Sequence, residues 1–212
     1  MSVKLIVGLG NPGSKFANTR HNIGFKILND FAKYYNVEFE SRKLGSLAIY
    51  KFKGRTFFLL KPNTFINLSG KAVKYWVDKE NIPLDNLLIV ADDLNLPFGT
   101  IRLKTKASDG GHNGLKDIQE KLDTIKYNRF RFGIGDKFLK GGQVDYVLGQ
   151  WTDEEFLMIQ NQLEKIRNVK HNIERNKKSS FLQTSNIVDL QQFISSFLNG
   201  LDIELTNILQ NI

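Results

Sequence analysis

The chain has 212 residues, 41% hydrophobic and 25% charged, enough for a packed core in one domain of ordinary size. It has no cysteine, which excludes a disulfide scaffold, a thiol nucleophile and a thiolate metal site; three histidines (His21, His112, His171) are a thin basis for a histidine-rich metal centre. The net charge is +8, but thirty basic and nineteen acidic residues precede Asn186 and only three acids (Asp189, Asp202, Glu204) follow it, so residues 1–185 carry +11. A basic body suits a polyanion such as RNA, and equally a solvated lysine-rich surface. No apolar run approaches the ~18 residues of a membrane span, and Met1–Lys4 lacks a signal-peptide layout, so the expected compartment is the cytoplasm.

Lys4–Val7 reads as a buried strand ending in glycines. Thr19 to Tyr35 carries apolar residues at helical spacing (Ile23, Ile27, Phe31, Tyr34). Leu47–Phe52 and Thr56–Leu60 read as two strands around Lys53-Gly54-Arg55, and Leu68–Lys79 as a helix. Leu87–Ala91 is a continuous apolar run, as expected of a strand covered on both faces. Ile101–Lys106 reads as a strand, Leu115–Leu122 as a helix and Arg129–Gly135 as a last strand. Asp136–Gly142 is a glycine- and lysine-containing loop; a helix follows Asp153, acidic at its start and basic at its end, as its dipole favours. That loop and helix are candidates for a movable cover. Asn176–Asn186 reads as a polar linker before an acidic, amphipathic remainder. The order predicts an α/β fold: one domain, a twisted mixed sheet with helices on both faces.

Ligands of such sheets collect beyond the carboxyl ends of strands. Those ends supply Gly8-Leu9-Gly10-Asn11-Pro12-Gly13, then Asn18-Thr19-Arg20-His21-Asn22, Lys61-Pro62-Asn63-Thr64-Phe65-Ile66-Asn67, Asp92-Asp93 and Gly110-Gly111-His112-Asn113-Gly114. Amides position substrates and donate to developing negative charge. A histidine beside a carboxylate is a general base held in one tautomer. Each residue also has a structural reading. His21 starts a helix, Asp92 and Asp93 cap a turn before Pro97, and Asn67 and Asn113 N-cap the helices that follow. His112 in its glycine-flanked turn divides evenly between structure and function, and His171 suits the basic end of its helix. Arg102, Lys104 and Lys106 share one strand face, as do Arg129 and Arg131; such stripes are solvated faces or phosphate-binding surfaces.

Gly8, Gly10 and Gly13 spell the dinucleotide fingerprint, but Pro12 and the polar stretch to Asn22 delay the helix that the fingerprint needs. No G-x-S-x-G elbow, H-E-x-x-H or P-loop motif occurs. Base-assisted attack by water, without metal, cofactor or covalent intermediate, is what remains; a non-catalytic RNA-binding protein and a dinucleotide-dependent oxidoreductase are the rivals.

The strings Gly8–Gly13, Thr19-Arg20-His21-Asn22-Ile23-Gly24-Phe25, Lys61–Gly70, Asp92-Asp93-Leu94-Asn95-Leu96-Pro97-Phe98-Gly99 and Gly110–Lys116 resemble, in order, the signature blocks of bacterial peptidyl-tRNA hydrolases; Arg129–Gly135 resembles a later strand of that family. The resemblance spans roughly residues 3 to 180. It implies an enzyme, usually monomeric, that cleaves the ester joining a peptide to the terminal ribose of tRNA. It makes His21 the catalytic base and Asp92 its orienting carboxylate. Asn11 becomes the residue that separates blocked from free aminoacyl groups. Asn67 and Asn113 bind the tRNA end and peptide backbone, with Phe65 in the same groove, and Lys104 and Arg131 grip tRNA phosphate. Phe16 stands where Tyr is common, leaving ring stacking without a hydroxyl. Ile66 replaces a usual Met, Asn95 a common Asp, and Ala107-Ser108-Asp109 a more glycine-rich approach to Gly110. Residues 1–185 are expected to form the catalytic domain, and 186–212 an extension to which the resemblance assigns nothing.

Overall fold

The apolar run at 87–91 lies inside a sheet and is buried at every position. The structure, a computed structural model, describes residues 3–52 and 54–175, with side chains up to residue 164; the expected extension at 186–212 lies outside the described residues. Met1–Ile159 make up one compact unit and Gln160 onward another, of which the described part is the remainder of a long helix.

Seven strands make one mixed sheet: β1 (Val3–Gly8), β2 (Glu40–Arg42), β3 (Gly45–Phe52), β4 (Arg55–Pro62), β5 (Leu87–Asp93), β6 (Ile101–Lys106) and β7 (Lys126–Gly133). Their order is β2-β3-β4-β1-β5-β7-β6. The central four (β4, β1, β5 and β7) run parallel, and the hairpin strand β3 and the edge strand β6 are antiparallel to their neighbours. The parallel set brings the carboxyl ends of β1, β4, β5 and β7 to one edge, where the chain has stored its polar motifs.

Strand alternation divides the core. Leu5, Val7, Leu87, Ile89, Ala91 and Tyr127 face one way, against Val73, Trp76 and Val77 of α2 (Ser69–Lys79) and Leu115 and Ile118 of α3 (Asn113–Leu122). The opposite face carries α1 (Ile23–Tyr34), which buries Ile23, Leu28 and Ala32. The first unit is completed by α4 (Gln143–Leu148) and the start of α5 (Asp153–Arg175).

The expected fold class is the observed one. Three details differ. The helix expected from Thr19 starts at Ile23, because Arg20–Asn22 wind as a tight 3-10 turn first. The last strand runs over 126–133 rather than 129–135, since its pairing begins at Lys126 with β6 and at Asn128 with β5. β2 and α4 escape a periodicity reading because three exposed residues and six residues are too few to show a period.

α1 can come this close only because residue 24 has no side chain. A Cβ on Gly24 would lie 2.5 Å from both the Leu9 nitrogen and oxygen and 2.6 Å from the Val90 carbonyl, all backbone atoms. Gly24→Ala is therefore expected to destabilise the fold by about 1–3 kcal/mol or more, read as a lower urea midpoint; an unchanged midpoint would mean that α1 does not pack so near β1 and β5.

Candidate active site

Alternation at the end of β5 sends two consecutive acids to opposite sides. Asp92 follows Leu88 and Val90 towards the α1 face; Asp93 follows Ala91 towards the α3 face. Each does a different job. Asp93 Oδ1 accepts from the Asn95 N–H at 2.9 Å, the turn-capping role offered for the pair, and its Oδ2 lies 2.8 Å from Arg131 Nε. Asp92 meets His21, with Nδ1 2.9 Å from Oδ1 and 3.0 Å from Oδ2.

His21 is the middle residue of the Arg20–Asn22 turn. Asn22, next to it, is locked onto the β1 loop: its Oδ1 accepts from the Asn11 N–H at 2.8 Å and its Nδ2 donates to the Asn11 carbonyl at 2.9 Å. Asn11 reaches onward, its Oδ1 accepting from the Ile66 N–H at 2.9 Å. The amide's oxygen is thus committed, and its Nδ2 has no hydrogen-bond partner among the described residues. An amide chosen because it can both donate and accept is left here with donation alone.

His112 is the residue whose role the sequence left evenly divided, and both of its ring nitrogens are engaged. Its Nδ1 caps α3, accepting from the Gly114 and Leu115 N–H groups at 3.1 and 3.2 Å; its Nε2 donates to Asp92 Oδ1 at 3.1 Å. The capping expected of Asn113 therefore belongs to His112, and Asn113 is exposed. The two imidazole rings lie 4.9 Å apart, with Asp92 accepting from both. These bonds fix opposite tautomers. His112 carries its proton on Nε2, whereas His21 donates Nδ1–H, which leaves Nε2 with a lone pair and no partner among the described residues.

Burial opposes charge on Asp92, but His21 and His112 outweigh it and hold the carboxyl well below the usual carboxylate range. Burial also disfavours the His21 imidazolium, yet the charge and hydrogen bond of Asp92 together prevail and raise His21 above 6.5. His21, Asp92 and His112 offer ligand atoms within 4.8 Å of one another, a spacing that a metal ion could use. As bonded, however, His112 Nε2 is a proton donor. To act as a ligand it would have to give up that proton while Nδ1 still accepts two N–H bonds.

The family model for peptidyl-tRNA hydrolase matches residues 5–192. The chain belongs to the peptidyl-tRNA hydrolase family. It is 59% identical over 151 residues to the peptidyl-tRNA hydrolase of Phocaeicola vulgatus (71% of this chain, 81% of that one) and 42% identical over 183 residues to that of Bacillus licheniformis (86% and 96%). It also resembles the crystal structure of peptidyl-tRNA hydrolase from Acinetobacter baumannii, with a TM-score of 0.75, 30% identity and 93% of each chain covered.

The other residues singled out by the family resemblance differ in exposure and partners. Phe16 and Phe65 meet edge to face at 6.3 Å, with the Lys15 ammonium 4.7 Å above Phe16. Phe65, Asn67 and Asn113 are exposed, and no hydrogen bond within the described residues engages either amide side chain. α2 gets its N-terminal partner elsewhere: Asp117 Oδ2 accepts from the Gly70 N–H, so Asn67 does not cap it. Lys104 is half-buried on the edge strand β6. The basic stripe on β7 is not a solvated face: Arg129 is buried beneath α3's side of the sheet, its guanidinium 4.0 Å over the Tyr127 ring, and Arg131 is paired with Asp93.

Since Asp92 raises His21 and burial alone lowers it, Asp92→Asn should move the His21 titration midpoint from above 6.5 to below it. An NMR titration of the imidazole checks this; a midpoint that stays put would separate His21 from Asp92.

Proposed function

We propose that this chain hydrolyses the ester between a peptide and the 3'-terminal ribose of tRNA, with His21 as general base and Asp92 as the carboxylate that orients it. One observation carries the reading: in a member of this family, the Asp92 contact at 2.9 Å takes His21 Nδ1 and leaves Nε2 as the basic nitrogen. Water bound to Nε2 would lose a proton to it while attacking the ester carbonyl. The proton on the imidazolium is then available to the departing ribose oxygen. An ester needs little further help at its leaving group, which fits a site built from one base and several amides. The exposed Asn67 and Asn113 amides suit substrate positioning and the developing oxyanion.

Asn11 supplies the selectivity. Its Oδ1 is engaged by Ile66, so only an N–H faces the substrate. That group donates to the carbonyl of an N-acyl block or a peptide bond. A free α-amine presents N–H donors to a donor and is rejected. A peptide read through its backbone carbonyl leaves side chains unspecified, as a broad scavenger of peptidyl-tRNA requires. Phe16 and Phe65 offer ring surfaces for apolar or base contact without a hydroxyl.

Lys104, unpaired among the described residues, is the better phosphate contact. Arg131, whose charge Asp93 already answers, would contribute less to binding and more to holding the end of β5. The reaction needs no metal or cofactor under this reading, and the chain works as a cytoplasmic monomer. Among the described residues no helix is long and apolar enough to cross a membrane.

His21→Ala should cost ~10²–10⁴-fold in turnover and leave tRNA affinity nearly unchanged, measured as release of N-acetyl-amino acid from charged tRNA. Wild-type turnover in that variant would end the proposal, and loss of wild-type activity in chelator would end its metal-free form. The pH dependence has a definite sign. The base acts only when neutral, so activity should be lost as pH falls through the raised His21 midpoint, above 6.5.

Lys104→Ala should weaken tRNA binding and flatten its salt dependence by about one phosphate contact, with a smaller change for Arg131→Ala. An unaltered slope in the lysine variant would remove its phosphate role. Free and N-acetylated aminoacyl-tRNA should differ strongly in rate; equal rates would refute the assignment of Asn11.

A further inference from the structure

Arg20 precedes His21, is 8% exposed, and has no part in the chemistry above. Its guanidinium lies 4.5 Å from the Tyr146 ring centroid and 5.7 Å from that of Trp151. Nη2 donates to Glu155 Oε2 at 2.7 Å, Nη1 to the Tyr146 carbonyl at 3.3 Å, and the Arg20 backbone N–H to the Gly149 carbonyl at 3.0 Å. One residue thus gathers α4, the segment after it and the first turn of α5.

That receiving surface is itself fastened. The Tyr146 hydroxyl donates to the Ile134 carbonyl, just past β7, at 2.6 Å. Thr152 and Glu155 form a reciprocal capping box at the start of α5: Glu155 Oε2 accepts from the Thr152 N–H at 2.9 Å, and Thr152 Oγ1 accepts from the Glu155 N–H at 3.2 Å. The same Oε2 therefore serves the helix start and the guanidinium. A rigid, planar, multiply bonded arginine in such a place is more than a solubilising charge.

The turn it belongs to needs an anchor. Three residues of 3-10 helix have too few hydrogen bonds to hold their own geometry. Asn22 secures one end through its two bonds to Asn11. At the other end Arg20 is attached through its guanidinium and its N–H, beside the backbone bridge between Thr19 and Gln150, and His21 lies between the two ends. We infer that Arg20 is a positioning residue for the hydrolytic reaction: docked on Tyr146, Trp151 and Glu155, it clamps the turn that keeps the His21 imidazole against Asp92. The inference rests on the hydrolytic reading of the His21 site.

The test uses the full chain and two variants. Arg20→Lys keeps the charge and loses the planar fork and ring contacts. Glu155→Gln keeps an oxygen for the Thr152 N–H and removes the ion pair. Asp92 and His112 are the titratable groups against the His21 ring, and Arg20 and Glu155 the charged groups at the turn. Arg20→Lys alters the charge of none of these four groups, so a change in His21 reports geometry. The readouts are turnover of N-acetyl-aminoacyl-tRNA and an NMR titration of the histidines, with melting temperature as a check on folding.

Arg20→Lys should lower kcat roughly tenfold with KM within about twofold of wild type, as expected for a small misplacement of a catalytic group. It should also lower the His21 midpoint, since the hold of Asp92 weakens while burial remains. Glu155→Gln should lower kcat in the same direction. Folded variants with wild-type kcat and an unmoved midpoint would overturn the inference. So would a loss of kcat in Arg20→Lys with the midpoint unmoved, which is the mark of a purely structural role. If Arg20→Lys does not fold, Glu155→Gln decides: reduced kcat at unchanged KM supports the clamp, wild-type kcat overturns it. A wild-type chain without hydrolytic activity would remove the hydrolytic reading itself, and the titration of Arg20→Lys would still test the clamp.

Discussion

A carboxylate buried between two imidazoles is the constraint on which the site depends. Burying an ionised carboxylate costs several kcal/mol unless hydrogen bonds and nearby charge compensate. Asp92 is 2% exposed and receives N–H groups from His21 and His112. Each partner is then fixed in turn. His112 can give its Nε2 proton to Asp92 because two backbone N–H groups at the start of α3 occupy its other nitrogen. His21 can give its Nδ1 proton because the turn before α1 aims that nitrogen at the end of β5. One carboxylate thereby joins the starts of two helices that lie on opposite faces of the sheet, and orients the free nitrogen of His21 as it does so.

The fold provides the meeting point before any side chain is considered. Four parallel strands end at one edge, and the segments that leave β1, β4 and β5 carry Asn11, His21, Asn67 and Asn95. The reciprocal bonds between Asn11 and Asn22 tie the loop after β1 to the turn holding His21, and Asn11 passes the connection to Ile66 after β4. Displacing any of these loops would disturb the others, so Asn11, His21 and Asp92 form one hydrogen-bonded unit.

Much of this was legible in the sequence, for identifiable reasons. The apolar run at 87–91 and the alternation around it mark a central strand; the close approach at Gly8 and Gly24 carried no signal and is visible only in three dimensions. His21 and Asp92 were legible as candidates from their places after strands, and their pairing from the family resemblance. Only the family resemblance singled out Asp92; residue type and place could not divide the tasks of Asp92 and Asp93, because which neighbour points to which face depends on the register at the strand end. It also left His112 undecided: a histidine in a glycine-rich turn gives no sign that both its nitrogens are engaged. The β7 arginines read as a surface stripe because basic residues usually are one, and burial of Arg129 beside Tyr127 breaks that rule. Arg20 carried no signal of its own, since its partners lie more than a hundred residues away.

The chemistry of His21 depends on where one proton sits. Long-range ¹⁵N–¹H correlation spectra of the histidines, recorded well above the His21 titration midpoint, report the tautomer of each ring directly. His21 is expected to carry its proton on Nδ1 and His112 on Nε2, both pointing at the same carboxylate. His21 protonated on Nε2 would leave no basic nitrogen facing the cleft and would contradict the assignment of that residue as the base.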